Sequence, residues 1–374
     1  MYFFYQMPSR RMPNPVWALL LAVVSMAASA QTPAPVPTLA PDGEVWASDT
    51  GFDFGLNKKK EKKARRSVSG IACNLDARQQ RICLLAFDEG AQARYATLGR
   101  QAIKPDDEEL VLRNTKGELD AEAAATDGHY FYVTGSHSAR RSDCASNPDS
   151  RHVVRLRLDP ATGRALRTAS GALADYADST RLWAIMQAQP GLAAHVGEQK
   201  CLGSEPVPGA RKKDPSQPGQ QGVNIEGLAV HGGRLYFGFR GPVLAGAAKV
   251  LSVDAEALFK GGDPKPALVS LDLGPQRGIR DLIAVSKGFL LLVGPDDSPS
   301  SQKAGSSIWH WDGKSGHARN LAQLDTSQVR LRQCDKELKP EALTVLEETP
   351  QAYRLLVLSD GMCDGGALAF TLGR

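Results

Sequence analysis

Five stretches of the chain repeat one arrangement of apolar and polar positions. Each opens on a polar or acidic residue, runs through a short apolar strand, turns, returns through a second apolar strand and closes on a polar residue. They occupy 69–89, 120–138, 224–240, 279–297 and 340–360. The best-formed copy pairs the run Asn224-Ile225-Glu226-Gly227-Leu228-Ala229-Val230 with Leu235-Tyr236-Phe237-Gly238-Phe239-Arg240, across His231-Gly232-Gly233-Arg234. A third strand-like run follows each copy (93–98, 152–158, 247–253, 307–311 and 367–372), and a fourth follows four of them (109–113, 164–169, 267–273 and 317–323). Alternation and β-branched or aromatic content mark these runs as half-buried strands. Four antiparallel strands recurring about every 50–60 residues is the signature of a β-propeller.

The expected fold is therefore all-β, a propeller of five blades. Six is the alternative, because Glu122 and Glu226 lie 104 residues apart, far enough to hold another blade. The intervening stretch reads otherwise. Residues 174–189 carry a helical apolar face (Leu182, Ile185, Met186) behind Asp178 or Ser179 as cap, and Pro190-Gly191 stops it. Residues 206–222 are rich in Pro, Gly, Lys and Gln and read as loop. Residues 172–222 are thus taken as an insertion, helical near 172–205. The last copy has three strands before the chain ends, so 44–48 is expected to complete its blade and close the ring.

Residues 1–30 read as an export signal. Arg10 and Arg11 precede an apolar run from Val16 that is too short to span a bilayer, and Ala28-Ser29-Ala30 is a small-residue cleavage site. A Pro-rich linker, 31–42, leads to a single propeller domain over 43–374. A periplasmic or secreted monomer is expected, with no membrane span once the signal is removed. All six cysteines lie beyond the signal, and an even count in an oxidising compartment predicts disulfides. Cys73 and Cys83 face each other on one hairpin, and Cys334 and Cys363 flank another. That leaves Cys144–Cys201 to tie down the insertion. The chain holds 45 basic against 41 acidic residues. Residues 1–30 contain two of the Arg and no acid, so the remainder is close to neutral, which does not suggest a nucleic-acid partner. The basic run 58–66 reads as a solvated loop, with contact to an anionic surface as the alternative.

In a propeller, the starts of innermost strands and the ends of second strands converge on one mouth of the central channel. Candidate ligand-binding residues there are Asp88, Glu89, Glu122, His137, Glu226, Arg240, Arg280, Asp281, Glu341 and Asp360. Two unit charges about 4 Å apart interact by about 4 kcal/mol at an effective dielectric near 20, so clustered carboxylates need a cation, an arginine or a raised pKa. Hard oxygen ligands suit calcium or magnesium rather than zinc, calcium being the expected ion, with Glu122, Glu226, Asp281 and Glu341 as the expected set. Arg240 and Arg280 offer the other remedy, or a clamp on an anionic group of a small polar ligand. The leading expectation is a binding module that holds a divalent cation and through it a small polar ligand. The alternatives are a metal-dependent phosphoesterase or esterase, with Glu226, His137 and Arg240 as catalytic candidates, and a protein–protein scaffold.

The ordered pieces Ala86-Phe87-Asp88-Glu89, Asp120-Ala121-Glu122, Gly135-Ser136-His137-Ser138, Asn224-Ile225-Glu226-Gly227-Leu228-Ala229, Arg240-Gly241-Pro242, Gly278-Ile279-Arg280-Asp281-Leu282, Gly294-Pro295 and Lys339-Pro340-Glu341-Ala342-Leu343 resemble the bacterial family called domain of unknown function 3616. They run from about residue 67 to the end of the chain. The second copy departs from the Glu-Gly-Leu-Ala type by reading Glu-Ala-Ala-Ala. The resemblance implies the propeller and the periplasmic setting, and no activity. Glu-Gly-Leu-Ala openings also resemble those of phytase-like and esterase-like propellers, a likeness of fold only.

Overall fold

A computed structural model of the chain describes residues 1–6, 35–115, 117–205 and 219–374. Of the expected export signal, residues 7–30 lie outside the described residues, as do 31–34 of the linker. Among the described residues no helix is long and apolar enough to cross a membrane.

Residues 36–374 form one compact unit. Two short strands, β1 (Thr38–Leu39) and β2 (Ala47–Ser48), and helix α1 (Lys58–Ala64) precede the blades. Blade I is β3 (Val68–Leu75), β4 (Arg81–Phe87), β5 (Gln92–Leu98) and β6 (Ala102–Val111). Blade II is β7 (Ala121–Thr126), β8 (Tyr130–Gly135), β9 (Val153–Asp159) and β10 (Arg164–Ala165). The insertion adds β11 (Ala177–Ser179), which also pairs with β9, and α2 (Arg181–Gln187). Blade III is β12 (Asn224–His231), β13 (Arg234–Gly241), β14 (Ala247–Asp254) and, after α3 (Ala255–Lys260), β15 (Ala267–Asp272). Blade IV is β16 (Arg277–Val285), β17 (Gly288–Pro295), β18 (Ser307–Trp311) and β19 (Ala318–Leu324). Blade V is β20 (Lys339–Glu348), β21 (Ala352–Asp360) and β22 (Leu368–Gly373).

The inner strands pack β3 on β7, β7 on β12, β12 on β16, β16 on β20 and β20 back on β3, so the ring closes at five blades. One apolar seam fills each of the five gaps between blades. Alternation produces this arrangement, since both faces of every blade are covered by a neighbour and successive side chains point to opposite seams. The Gly232-Gly233 turn shows how local sequence sets register. Both residues have positive φ (57° and 75°), as the tight turn between β12 and β13 requires and as glycine alone adopts freely.

Three expectations change in detail. The strap at 38–48 crosses three blades: β1 pairs in parallel with β19, Asp42 and Trp46 donate backbone N–H bonds to Ala369 on β22 and to Ala367 just before it, and β2 pairs in parallel with β6. Pro41 and Gly43 interrupt regular pairing along β22. The helix expected over 174–189 begins only at Arg181, because 177–179 join the edge of β9. Asp178 does not cap it, being engaged with Arg113 (3.1 Å) and His152 (2.6 Å). The basic run is not a loop: residues 58–64 are the helix α1. All three expected disulfides form, Cys73–Cys83, Cys144–Cys201 and Cys334–Cys363, with Cα separations of 4.0, 4.9 and 5.9 Å.

Candidate functional site at the channel mouth

Every inner strand breaks its pairing register near its start. One residue is skipped between Val68 and Gly70, Ala121 and Ala123, Ile225 and Gly227, Ile279 and Asp281, and Pro340 and Ala342. A β-bulge leaves its extra residue unpaired and re-aims it. The five bulge residues are Ser69, Glu122, Glu226, Arg280 and Glu341, one per blade. The small residues that follow four of them (Gly70, Ala123, Gly227 and Ala342) allow the strands to crowd around the channel. A Cβ on Gly70 would sit 2.7 Å from the Ala124 amide, and one on Gly227 would sit 2.7 Å from Leu282.

The ring is unevenly neutralised. Arg280, which is 3% exposed, stands 3.0 Å from Glu226 and also pairs with Glu341, while Ser69 donates to Glu341 at 3.5 Å. Above it, Arg240 donates to Glu226 (2.9 Å) and to the Asp296 carbonyl (3.2 Å), and lies 3.2 Å from Asp297. Arg141 reaches Asp297 from the insertion side (3.0 Å), and Asn224 donates to Glu226 (3.0 Å) and Asp297 (3.2 Å). On the other side, Asp88, Asp120 and Glu122 take part in no ion pair among the described residues. Asp120 accepts the Ser136 hydroxyl, and one oxygen of Asp88 is buried without a partner.

The electrostatics follow this division. Burial drives the Asp120 carboxyl up to about 6 despite the Ser136 bond. Burial, then Glu226 and Asp120, raise Glu122 well above the carboxylate range, and burial, then Asp360 and Asp120, do the same to Asp88. For Asp297 burial works upward, but Arg240 and Arg141 outweigh it and hold the carboxyl low. Burial and the neighbouring Arg240 lower Arg280 to about 10. The mouth therefore has an ionised, arginine-locked half and a protonatable half.

These walls enclose an open cavity of about 900 Å³. Of the expected ligand-binding residues, Asp88, Glu122, Glu226, Arg240, Glu341 and Asp360 line it, and Arg280 lines a smaller side cavity of about 190 Å³ together with Arg240 and Lys339. Three expected residues are elsewhere. Glu89 does not line the cavity and pairs with Lys63, which does. His137 is fully buried at φ 55°, its Nδ1 3.0 Å from the Gly135 carbonyl. Asp281 is turned away by the bulge at Arg280, and its carboxylate accepts the amides of Leu343 (2.7 Å) and Leu282 (2.8 Å), clamping blades IV and V. The calcium set Glu122, Glu226, Asp281 and Glu341 is accordingly not assembled. Among the described residues no three His, Cys, Asp or Glu side chains are grouped to hold a metal ion. Asp120, Asn224 and Arg141 are site residues absent from the expected set, and Asp297, a second-strand end expected at the rim, joins the ion-pair network. The first two sit two positions before a bulge glutamate, in Asp-x-Glu and Asn-x-Glu, a signal visible in the sequence.

Asp120 supports a direct test. A carboxyl whose folded pKa lies above its unfolded value stabilises the fold below the unfolded pKa and loses that contribution as pH rises through the folded one, here from about 4 to about 6. His137 opposes it: burial lowers its imidazole to about 4, so its contribution is present above the ordinary histidine value and fades as pH falls towards 4. The wild-type curve mixes the two, and Asp120→Asn separates them. Because Asp120 borders the open cavity, this variant is expected to gain about 1–2 kcal/mol at pH 7.5 and nothing at pH 4, in urea unfolding at both pH values.

Comparison with solved structures finds matches at low identity. A GH43 β-1,3-galactosidase matches 90% of this chain and 60% of its own at 9% identity, with a TM-score of 0.45. An endo-arabinanase from Bacillus licheniformis matches 82% and 94% at 10% identity and 0.34. The periplasmic gluconolactonase of Pseudomonas aeruginosa matches 82% and 71% at 13% identity and 0.34. Likenesses of this degree carry no argument about activity. No curated protein sequence gives a significant match. A family model does match, over residues 88–365, and spans the acidic mouth from Asp88 to Asp360. The chain belongs to the family described as protein of unknown function DUF3616.

Proposed function

We propose that the protein is an exported, periplasmic or secreted, binding module whose channel mouth takes a small polar ligand through hydroxyl or ammonium groups. The observation that carries this reading is the division of the mouth. Glu226, Glu341 and Asp297 are answered by arginines, whereas Asp88, Asp120 and Glu122 line the cavity and make no ion pair among the described residues. Hydrogen-bond donors on a ligand supply what the protein leaves open there. Calcium is the competing ion, although among the described residues no three carboxylates are grouped to hold one. Arg240 is already committed to Glu226, Asp296 and Asp297, which argues against the phosphoesterase reading that needs it to clamp an anion.

A thermal-shift series tests the proposal with glucosamine, calcium chloride and sodium phosphate as probes. Glucosamine should raise Tm, and Glu122→Gln should remove the shift. A shift with calcium alone would replace the organic ligand by the ion. A response confined to phosphate would overturn the reading. A second reading, acid–base hydrolysis of a neutral polar substrate, is favoured by Asp120, a proton donor whose carboxyl burial pushes up to about 6 at the cavity wall. Turnover of chromogenic glycosides or esters that Asp120→Asn abolishes, with folding intact, would select it.

A further inference from the structure

The wall of the mouth has acceptors to which no donor comes. Glu122 lines the cavity and makes no hydrogen bond or ion pair among the described residues. Asp88 Oδ1 is buried without a partner. A third acceptor is independent of the carboxylates. Asn224 is 2% exposed, and its Nδ2 faces Glu226 Oε1 (3.0 Å) and both carboxylate oxygens of Asp297 (3.2 and 3.3 Å). Three acceptors around one atom fix it as the amide nitrogen. Oδ1 is then the atom left over, buried with no donor in a residue that lines the cavity. An unmatched buried acceptor is unfavourable, so each of these atoms calls for an N–H or O–H from outside the protein. The cations that border the cavity do not meet the demand. Lys63 is paired with Glu89, Arg141 and Arg240 with Asp297, and Lys339 with Glu337 (2.8 Å) and Asp360 (3.5 Å). Arg140 and Glu118, both exposed at the edge, make no ion pair among the described residues and offset each other in charge.

We infer that the mouth binds a linear diamine or polyamine, whose ammonium groups meet Asp88, Asp120 and Glu122 and donate to Asn224 Oδ1. This deepens the proposed function and rests on its reading of the mouth as a ligand site. The unmatched acceptors are spread over three blades: Asp88 follows β4 of blade I, Asp120 and Glu122 stand at the start of β7 of blade II, and Asn224 opens β12 of blade III. Among the described residues no three carboxylates are grouped to hold a metal ion, so a point charge is a poor match for them. One ammonium answers one locus, whereas ammonium groups spaced along a flexible chain answer several, and the cavity of about 900 Å³ has room for such a chain. An ammonium has three donors and no acceptor, the complement of a wall made of acceptors. It also compensates the burial that pushes these three carboxyls up. The chain as a whole carries a formal net charge of +4, so its overall charge does not attract a polycation and the attraction is local to the mouth.

Isothermal titration calorimetry of the purified protein at fixed ionic strength tests it, with spermidine, putrescine, butylamine, glucose and magnesium chloride as probes. Putrescine and butylamine share one carbon chain and differ by one ammonium, so putrescine should bind at least about tenfold more tightly, and spermidine more tightly still. Glu122→Gln, which keeps the shape and removes the charge, should weaken spermidine by at least about tenfold with an unchanged circular dichroism spectrum. Equal affinity for butylamine and putrescine would overturn the inference while leaving the mouth a site for one ammonium. Binding of glucose without a response to any amine would overturn it and leave the hydroxyl reading standing, whereas no binding of any probe would overturn both. Magnesium binding as tightly as putrescine, or spermidine binding equally to wild type and Glu122→Gln, would also contradict it.

Discussion

Replacing Glu226 with alanine is expected to destabilise the fold by about 3–5 kcal/mol, the range for removing one partner of a buried charge pair. Glu226 is 3% exposed and lies between two guanidinium groups, those of Arg240 (2.9 Å) and Arg280 (3.0 Å). Alanine leaves both cations in the channel wall with Asp297 and Glu341 as their remaining counter-ions, and removes one of the two acceptors of Asn224, which keeps Asp297. Glu226→Gln should cost less, since the amide oxygen still accepts from Arg240. Urea unfolding of the two variants at pH 7 reads both effects. A loss below about 1 kcal/mol for the alanine variant would mean that the ring is solvated rather than electrostatically locked.

The second large effect is expected from the Cys144–Cys201 bridge. Its cysteines are 57 residues apart, and closing a loop of that length removes chain entropy worth about 4 kcal/mol from the unfolded state. The bridged segment is not otherwise loose. Leu182, Met186, Leu192 and Val196 pack among Ala123, Val153, Ile225 and Phe239 in the seam between blades II and III. Replacing both cysteines with serine should therefore lower stability by about 4 kcal/mol while blades keep their secondary structure. A two-state unfolding curve with that loss and an unchanged circular dichroism spectrum is the expected result. A variant as stable as wild type would show that packing alone holds the segment.

The repeat was readable because each blade buries both faces and so writes its strands as apolar runs with turns at fixed places. Glu226 and Arg240 were placed on one rim from their positions at the start of β12 and the end of β13, and they meet at 2.9 Å. Two of the three disulfides were readable for the same reason, since hairpin register brings Cys73 opposite Cys83 and Cys334 and Cys363 flank one hairpin, and Cys144–Cys201 followed by elimination. Asp281 was misassigned because a bulge shifts side-chain direction by one residue, and nothing in Gly278-Ile279-Arg280-Asp281 marks which residue is the unpaired one. Once five bulges are aligned, Arg280 takes the place of Glu122, Glu226 and Glu341, and Asp281 takes that of Gly70, Ala123, Gly227 and Ala342. His137 was attractive as a strand-end histidine beside serine, yet its positive φ turns it into the protein. The division of the mouth was not readable at all. It depends on which carboxylates the long arginine side chains reach, and that is decided by distances across three blades.

The central claim is that one channel mouth holds a protonatable half and an ionised half. Site-resolved carboxyl ¹³C NMR of aspartate-labelled protein, titrated from pH 3 to 8, tests it most directly. Asp120 should titrate with a midpoint at about 6, and Asp297 should stay ionised below the ordinary aspartate range. Asp120 and Asp297 titrating together near the ordinary value would contradict the account.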